Sequence, residues 1–439
     1  MLGAVKRLIP KPVKYFLRLL INKMIAPLRK KLLAKKMRLK HHQLLHDLKG
    51  KEKIKVIFLE LFKGMWKLDP VFKKMLNDPY FEPIILVCPC VSYGEDAMWK
   101  GIEETYCFFK NKNYPIISAY NEIEKKWIKL AELNPDIVFF SIPHNMTRKE
   151  YYEDVYLNYL SCYVPYHHEV GSYNGNISQY DEFFHNAQWK IFVSHKCSQD
   201  IYKKISHAGG KNVIVTGYPM MEEFFRKNKD KNTKNWKNTD NRLRVIWAPH
   251  HTIGVDYLPY SNFLEYAESF RRLAEKYKDC IFWSFKPHPE LRLKLYAHID
   301  WGKEKTDSYY QYWDEQEFSQ LDLGEYIDLF LSSDAMIHDC GSFLAEYLYL
   351  RKPVLYMLNK NNGENYYNHF GLNALYSCRI SRNFSDVEKF IWSLISIKEF
   401  SITKTHFDFY KLELLPYFDG KKPSEIILSK IKESLSNDT

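Results

Sequence analysis

The stretch Ser332–Met357 constrains the fold more than any other part of the chain, and it reads SSDAMIHDCGSFLAEYLYLRKPVLYM. A short strand ending at Ile337 or His338 leads into a tight turn, and apolar residues then recur at helical spacing after Ser342. This pattern stops before Pro353, where a short and wholly apolar strand begins. The stretch therefore predicts a β-turn-α-β unit, from which parallel sheets are built.

Ser342 stands where the predicted helix begins. Backbone N–H groups at a helix start have no partner within the helix and carry partial positive charge, so they bind phosphate groups well. A serine that merely caps an ordinary helix gives the same pattern. The stretch alone leaves both interpretations open.

Strand and helix patterns alternate along most of the chain, which favours open, mostly parallel α/β sheets with helices on both faces. At 439 residues the chain is long enough for two such domains. The polar composition of residues 226–244 predicts a linker between them. Within the first domain, the segment from Ile123 to Leu133 predicts a helix. The predicted divisions are a basic amphipathic arm (1–50), an N-terminal Rossmann-like domain (51–225), the linker (226–244), a C-terminal Rossmann-like domain (245–400) and a closing helical segment (401–439).

Charge is concentrated in the first 50 residues, which hold fourteen Lys or Arg and one acidic residue. The remaining residues hold fifty basic and fifty-two acidic side chains, so we expect no general nucleic-acid binding by the body of the protein. Apolar residues recur at helical spacing from Val13 to Leu28, which in a basic segment is typical of a helix lying on an anionic bilayer. We predict membrane contact through residues 1–45, with a solvated or partner-packed helix as the alternative.

The eight cysteines show no disulfide spacing, and this usage fits a reducing, cytoplasmic compartment. Cys88 and Cys90 form a C-x-C pair that could hold a metal or be a pair of buried thiols. No uninterrupted apolar run approaches the roughly twenty residues of a spanning helix. We expect a cytoplasmic protein that is peripheral on the inner face of the cell membrane.

Polar side chains follow three predicted strands of the second domain. Because a parallel sheet gathers the carboxyl ends of its strands on one edge, we expect these side chains to lie together. They are His250 and His251, Lys286 and His288, and Asp339 with Ser342.

Two further histidines, His167 and His168, follow a strand of the first domain and precede Glu169. Either imidazole could act as a general base. Neighbouring side chains point in different directions, so we expect at most one of the two in a site. A histidine pair without catalytic function fits the same pattern.

In these motifs the chain resembles the CDP-glycerol glycerophosphotransferase family, which includes teichoic-acid primases and polymerases and capsule polymerases. The resemblance is carried by VIVTGYPMMEEF, RVIWAPHHT, FWSFKPHPEL and SDAMIHDCGSFLAEYLYLRKPVLYM, in the family's order between Val213 and Met357. It implies an α/β protein with two Rossmann-like domains facing across a cleft, the GT-B arrangement, an acceptor domain first and a nucleotide-donor domain second. It also implies transfer of glycerol phosphate from CDP-glycerol to a hydroxyl of a lipid-linked or polymer acceptor at the membrane surface.

The resemblance assigns roles to individual residues. His288 matches the family's His-Pro motif, which is implicated in catalysis and in holding the pyrophosphate. Asp339 and Ser342 match an Asp-x-Ser-Ser-like motif at the phosphate-binding turn, where Gly341 replaces a serine. The family's Pro-Thr-x-Arg segment appears as Pro249-His250-His251-Thr252, with histidine at the cationic position. His167 and His168 match its His-Gly-Thr motif only loosely.

The reaction we expect is an in-line attack by an acceptor hydroxyl on the β-phosphorus of CDP-glycerol, which releases CMP. His168 or His167 would take the proton, with His288 and Asp339 as the other catalytic residues. The expected donor-binding residues are His250, His251, Thr252, Lys286, Gly341 and Ser342. No Asp-x-Asp pair follows a strand, so we expect neither a metal nor another cofactor.

Two other functions remain open on sequence grounds. A GT-B glycosyltransferase that uses a nucleotide sugar would share the sheet edge and the phosphate-binding helix. A non-catalytic, membrane-bound partner in capsule assembly would retain the motifs as remnants.

Overall fold

The computed structural model describes residues 24–226, 236–237, 240–254, 258–361 and 363–436. It contains two compact units, each of which is built from separate segments of the chain. The first unit comprises residues up to 166 together with 174–216 and the C-terminal residues from 424. The second comprises 167–173 and 217–423. The C-terminal helix therefore belongs to the first unit, and the segment that holds His167 and His168 belongs to the second.

The main sheet of the first unit has its strands in the order β3-β2-β1-β6-β7-β8-β9, all parallel. A two-stranded antiparallel ribbon, β4-β5, accompanies it. The strands of this unit are β1 (Ile54–Glu60), β2 (Phe81–Val87), β3 (Ile116–Ser118), β4 (Tyr120–Asn121), β5 (Lys126–Trp127), β6 (Ile137–Phe140), β7 (Leu160–Tyr163), β8 (Lys190–Val193) and β9 (Val213–Val215).

The sheet of the second unit has the order β12-β11-β10-β13-β14-β15 and is also parallel throughout. In both sheets the chain starts at a central strand, runs to one edge, returns to the centre and then runs to the other edge. This is the Rossmann order, and the predicted fold of two Rossmann-like α/β domains is confirmed. The strands are β10 (Leu243–Ala248), β11 (Ile281–Phe285), β12 (Ser319–Leu321), β13 (Ala335–His338), β14 (Val354–Met357) and β15 (Arg379–Ser381).

The connections between strands are helical. In the first unit they are α1 (Ala26–Asp47), α2 (Asp69–Leu76), α3 (Glu95–Asn111), α4 (Leu130–Leu133), α5 (Glu153–Asn158), α6 (Ile177–Tyr180), α7 (Phe183–Ala187) and α8 (Lys196–Ile205). In the second unit they are α9 (Phe263–Lys276), α10 (Leu291–Tyr296), α11 (Gly302–Glu315), α12 (Ile327–Ser332), α13 (Phe343–Glu346), α14 (His369–Ser377), α15 (Phe384–Trp392) and α16 (Lys404–Phe409). The C-terminal helix is α17 (Pro423–Ser436).

Both faces of the first sheet are covered, because successive residues of its central strand enter opposite cores. Val56 and Phe58 of β1 pack into one hydrophobic cluster, whereas Ile57 and Leu59 pack into another. All four are at most 7% exposed. This burial on both sides explains why the strands read as continuous apolar runs, and it fixes the register of the parallel pairs.

Part of the predicted basic arm is packed onto the first unit. Of that arm, residues 1–23, which include the apolar positions Val13 to Leu20, lie outside the described residues. One face of α1 is buried, and Lys30 there is 7% exposed and forms an ion pair of 3.4 Å with Asp181. The opposite face presents apolar side chains at Leu28 and Leu32, which are 59% and 58% exposed. No described helix is both long enough and apolar enough to cross a bilayer.

The predicted helix over 123–133 is wrong for most of its length. Strands β4 and β5 form a hairpin there, and only α4 is helical. The side-chain oxygen of Asn121 accepts hydrogen bonds from the backbone N–H groups of Ile123 and Glu124, at 3.0 and 3.1 Å. An Asn side chain that captures the next two amides initiates a turn and competes with helix formation.

Most of the predicted linker, 227–235 and 238–239, lies outside the described residues. Trp236 within it is only 4% exposed, and its indole N–H donates to the Ser332 hydroxyl at 3.0 Å. This residue therefore packs on the second unit.

A carboxyl group is buried at the end of β1. Glu60 is 1% exposed, and the hydroxyl of Ser141 donates a hydrogen bond to its carboxyl group at 3.2 Å. Burial raises the pKa of Glu60 from 4.5 to about 8, because few groups replace the water that would stabilise its charge. The folded protein therefore keeps this proton over a pH range in which the unfolded chain releases it.

This difference predicts a pH-dependent gain in stability for Glu60→Gln. The wild-type protein should lose stability as the pH rises from about 4.5 to about 8, whereas the amide carries no proton to lose. The free energy of unfolding of the variant should therefore approach that of the wild type at pH 5 and exceed it by up to about 4 kcal/mol at pH 8. Urea unfolding across this range measures the difference. A difference that is constant with pH, or that matches the control Glu82→Gln on strand β2, would contradict the prediction.

Candidate functional site

The candidate site lies at the carboxyl ends of strands β10, β11 and β13 in the second unit. Strands β10 and β13 are neighbours, with Ala248 opposite His338 at their last paired positions. Because the chain runs outward in opposite directions from these two strands, a crevice opens beyond their carboxyl ends. His250 follows β10, His288 follows β11 and Asp339 follows β13, so the sheet delivers all three to this edge.

Asp339 holds this edge together. Its two carboxylate oxygens accept separate hydrogen bonds from the backbone N–H groups of His250 and Asn262, each at 2.6 Å. The Asn262 amide adds a bond of 3.3 Å to the same carboxylate and donates to the carbonyl of Met357 at 2.9 Å. Asp339 thus ties the turn after β10 to the start of α9 at the end of β13. Burial raises its pKa from 3.8 to about 7, although these hydrogen bonds act in the opposite direction.

Three imidazoles form a cluster beside this turn. The ring centroids of His251 and His288 lie 4.1 Å apart, those of His250 and His251 4.3 Å, and those of His250 and His288 5.1 Å. One nitrogen from each ring lies within 4.8 Å of the others. In the described part of the chain, this is the one group of three metal-ligating side chains at such distances. By spacing alone it could receive either a metal ion or an anion.

Hydrogen bonds around the cluster identify which nitrogens carry protons. Nδ1 of His288 accepts the backbone N–H of Glu290 at 3.2 Å, so the proton of a neutral ring is on Nε2. Nδ1 of His250 lies 3.0 Å from the hydroxyl of Thr252. That hydroxyl oxygen already accepts the N–H groups of Tyr260 and Ser261, so its own proton is directed to His250. His250 and His288 therefore both present Nε2–H donors.

His250 and His288 are neutral at physiological pH. Burial holds the pKa of His250 well below its usual value, with additional repulsion from His288 and His251. Burial likewise lowers the pKa of His288, helped by His251, Lys294 and Lys286. Neutral N–H donors in a weakly polar site interact strongly with an anion, whereas a metal ion would need these same nitrogens without their protons. The arrangement is therefore better suited to a phosphate or pyrophosphate oxygen than to a metal.

The other residues that were expected to bind the nucleotide donor lie close to this edge, but their side chains make hydrogen bonds within the protein. Lys286 is 6% exposed, and its ammonium donates to the carbonyl of Gly324 at 2.8 Å. Thr252 orients His250 as described above. Ser342 does not cap a helix: its backbone is already helical, and its hydroxyl lies 3.0 Å from the Cys340 thiol. Of the two interpretations of Ser342, the N-cap is therefore wrong, because its side chain makes no capping hydrogen bond to the amides that follow.

His167 and His168 have different surroundings in the structure. His168 is 1% exposed, and its ring packs against Tyr218, Tyr349 and Phe370 at centroid distances of 4.8, 5.8 and 5.6 Å. His167 is only half-buried, and its Nδ1–H donates to the carbonyl of His168 at 2.7 Å. A carbonyl can only accept, so Nε2 of a neutral His167 carries the lone pair that a base needs.

The segment from His167 to Tyr173 is fixed to helix α14. The Asn368 amide donates to the carbonyl of Glu169 at 2.5 Å, and its backbone N–H donates to the carbonyl of Val170 at 2.9 Å. A Cβ atom at Gly371 would lie 2.3 Å from the Val170 carbonyl oxygen, so this close approach requires glycine. The backbone that carries His167 is therefore held rigidly.

Two residues of the site were missed in the sequence. Asn262, which binds Asp339, precedes the first residue of α9 as helix-capping amides often do, and this position was the available signal. Glu290 has its carboxylate 3.3 Å from Nδ1 of His251. Its place two residues after His288 indicated this neighbourhood, but no sequence pattern pairs it with His251.

Comparisons with known proteins agree with the fold. A variant of the wall teichoic acid polymerase TagF superposes with a TM-score of 0.53 at 15% identity, over 94% of this chain and 99% of that one. The UDP-GlcNAc 2-epimerase of Neisseria meningitidis bound to UDP-GlcNAc gives 0.51 at 14% identity, over 87% and 100%. S. aureus MnaA with UDP gives 0.53 at 16%, over 87% and 97%. At these identities the likeness establishes the GT-B type of fold. No curated protein sequence matches the chain.

The family described as CDP-glycerol:poly(glycerophosphate) glycerophosphotransferase matches residues 167–426. This match spans more than half of the 439-residue chain and includes the imidazole cluster, Asp339 and His167. The chain therefore belongs to the CDP-glycerol:poly(glycerophosphate) glycerophosphotransferase family of enzymes.

Proposed function

We propose that the protein transfers glycerol phosphate from CDP-glycerol to a hydroxyl of a membrane-linked glycan or polymer, in the synthesis of a teichoic acid or capsule polysaccharide. The observation that carries this proposal is the pair of Nε2–H donors on His250 and His288 at the edge of a nucleotide-binding type of sheet. Family membership supports the donor and the reaction class. The membrane-linked acceptor and the kind of polymer belong to the proposal.

The proposed step is a displacement at the β-phosphorus of CDP-glycerol. A bond forms between this phosphorus and the acceptor oxygen, while its bond to the bridging oxygen breaks and CMP leaves with the electron pair. Negative charge therefore grows on the phosphate of CMP. Donors that are already oriented stabilise such charge without having to reorganise, and His250 and His288 are the groups we assign to it.

The proton of the attacking hydroxyl goes to His167 in this proposal. Its Nδ1–H is engaged by the carbonyl of His168, which leaves Nε2 as the basic nitrogen. His168 packs among aromatic rings and, at 1% exposure, is not accessible to a substrate hydroxyl in this structure. We therefore assign the base to His167 and a supporting role to His168.

The remaining predicted donor residues support the phosphates indirectly or through the backbone. Thr252 sets the proton position on His250, and His251 completes the imidazole cluster. The backbone at Gly341 and Ser342 forms the turn after β13, beside the Asp339 carboxylate. The buried charge of Lys286 adds positive potential to this edge. We propose that turnover needs no metal, because the cluster offers N–H groups where a metal would need lone pairs.

Membrane association is proposed to use the outward face of α1 together with the residues that precede it, within residues 1–45. Leu28, Leu32 and Leu39 lie four and seven residues apart on this face and are 59%, 58% and 66% exposed. Exposed Lys31 and Lys35 stand beside them. Apolar side chains flanked by lysines fit an anionic bilayer surface, which would place the enzyme on the inner face of the membrane where nucleotide donors are made.

Replacing His288 with alanine tests the assignment of the charge-stabilising donor. CMP release from CDP-glycerol, measured with a poly(glycerol phosphate) acceptor and EDTA present, should fall about 100- to 1,000-fold in kcat. His298→Ala is the matched control. Nδ1 of His298 accepts the backbone N–H of Asp300 at 3.2 Å, just as Nδ1 of His288 accepts that of Glu290, but His298 lies outside the cluster. The control should keep wild-type turnover.

The same assay tests the function itself. Turnover of a UDP- or GDP-sugar by the wild-type enzyme, with none of CDP-glycerol, would replace the proposed reaction by glycosyl transfer. Wild-type activity in His288→Ala would remove the assigned role. Loss of CMP release in EDTA that added Mg²⁺ restores would overturn the metal-free step.

The pKa of Asp339 near 7 predicts a pH dependence of donor affinity. The ionised carboxylate accepts both backbone N–H groups, whereas protonation removes one acceptor and loosens the turn that carries His250. The KM for CDP-glycerol should therefore rise severalfold as the pH falls from 8 to 6. In Asp339→Asn it should be high and independent of pH, because an amide offers one oxygen only.

Asp334→Asn is the control for this prediction. Its carboxylate accepts the N–H of Arg244 at 2.8 Å, at the opposite end of strand β13. This variant should retain the wild-type pH profile of KM. A wild-type KM that does not change between pH 6 and 8 would exclude a titrating Asp339 at the site.

Changing both Leu28 and Leu32 to glutamate should weaken membrane binding. The substitutions remove two apolar side chains from the outward face of α1 and add two charges that an anionic bilayer repels, so the bound fraction should fall roughly tenfold or more. Flotation with mixed phosphatidylglycerol and phosphatidylcholine vesicles measures it. The control changes Leu293 and Leu412, 68% and 70% exposed in the second unit, in the same way. Equal loss in both double variants would contradict a specific role of α1.

A further inference from the structure

A cavity of about 140 Å³ lies beneath helix α1 in the first unit. We call it the α1 cavity. Its walls come from α1, from the segment between α7 and β8, and from the turn before β9. The side chains that matter here are Arg38, His41, Gln188, Trp189, Lys211 and Asn212. None of them belongs to the candidate site of the second unit.

Buried polar atoms line the α1 cavity without hydrogen-bond partners in the described protein. Gln188 is 2% exposed, and neither the oxygen nor the nitrogen of its side-chain amide has a partner. Nε2 of His41, which is 6% exposed, and Oδ1 of Asn212 are in the same state. Buried polar groups in folded proteins are almost always paired, so several such atoms around one cavity indicate a polar ligand.

These atoms are not loosely placed. The Asn212 amide nitrogen donates to the backbone carbonyls of His185 and Gln188, at 3.1 and 2.9 Å. The neighbouring Asn186 is bonded at both ends of its side chain, to Asp181 and to Ser206. Backbone hydrogen bonds therefore hold Asn212 in position where it lines the cavity beside Gln188.

Charge at the cavity has one sign. Arg38 and Lys211 line it and are exposed, and the Lys190 ammonium lies 4.7 Å from the centre of the Trp189 ring. Among the described residues, no acidic side chain lines the cavity. A ligand that suits this cavity carries an anionic group, which would bind the two cations. It also carries hydroxyl groups, whose protons would bind the side-chain oxygens of Gln188 and Asn212. One of its oxygens would accept a hydrogen bond from the Gln188 amide nitrogen. The cavity has room for more than a single water molecule.

We propose that the α1 cavity is a second, non-catalytic binding site for a glycerol phosphodiester. The phosphate would bind Arg38 and Lys211, and the glycerol hydroxyls would bind Gln188 and Asn212. This chemistry occurs both in a poly(glycerol phosphate) chain and in the headgroup of phosphatidylglycerol. The inference rests on the proposed function, because that reaction would produce the polymer, but binding at the α1 cavity does not require catalysis.

Titration of the full chain with glycerophosphoglycerol, by calorimetry or saturation-transfer NMR without CDP-glycerol, tests the site. The wild-type protein should bind this probe saturably, and Gln188→Leu should bind it at least tenfold more weakly. Lys211→Gln should weaken binding severalfold, whereas Lys204→Gln, an exposed lysine on α8 that does not line the cavity, should not. Absence of saturable binding to the wild type, or equal binding to Gln188→Leu, would overturn the proposal.

Thermal unfolding keeps the test independent of misfolding. Leucine has nearly the volume of glutamine and removes two unpaired buried atoms, so Gln188→Leu should melt at the wild-type temperature or above it. If Gln188→Leu melts at a lower temperature, binding by the Lys211→Gln variant tests the proposal instead, because Lys211 is exposed and its substitution should not affect folding. Retained binding by a folded Lys211→Gln variant together with a destabilised Gln188→Leu would also overturn the proposal.

Two further measurements identify the source of the ligand. If the site binds polymer, Gln188→Leu should shorten the polymer made from CDP-glycerol and leave vesicle binding unchanged. If it binds lipid, the variant should lose any preference for phosphatidylglycerol over phosphatidylserine vesicles. A change in neither would overturn the proposal. Wild-type protein that binds glycerophosphoglycerol but releases no CMP would refute the proposed function and leave this site standing.

Discussion

The candidate site depends on the Asp339 carboxylate, which accepts hydrogen bonds from two backbone N–H groups. Strands β10 and β13 bring His250 and Asp339 to the same edge, but a sheet edge alone does not fix the turns beyond it. The bonds of 2.6 Å to His250 and Asn262 fix two such turns at once. Because the carboxylate is buried, these bonds are strong, and the same burial raises the pKa of Asp339 to about 7. Rigidity and pH sensitivity thus share one cause.

The two sheets have the same strand order but very different carboxyl edges. In the first unit, β1 ends at the buried and partly neutralised Glu60, against the hydroxyl of Ser141. In the second unit, the corresponding strand β10 leads into the partly exposed imidazole cluster. Topology therefore supplies a crevice in each case, and the side chains at the strand ends decide whether it can hold an anion. Function in such a protein therefore depends on the side chains at the strand ends and not on the fold alone.

Much of this was predictable from sequence, because apolar strands between helices are a strong and local signal. The β-turn-α-β unit around Ser342 and the gathering of His250, His288 and Asp339 followed from strand order alone. The hairpin at Asn121 was not predictable from periodicity, since one side-chain oxygen there captures two amides. Nor does the sequence show that His168 is buried and that His167 bonds to a carbonyl, because two adjacent histidines after one strand look alike in a sequence.

In the proposed reaction, the imidazole cluster would stabilise charge through neutral groups, because burial holds the pKa of His250 well below its usual value. The ammonium of Lys286, which is buried at this edge, donates to the carbonyl of Gly324. Charge stabilisation in that reaction would then come mainly from oriented N–H dipoles, and those are effective only where water is excluded and their direction is fixed. The hydrogen bonds from Glu290 to His288 and between Thr252 and His250 provide that direction, so the residues around the imidazoles determine the chemistry as much as the imidazoles themselves.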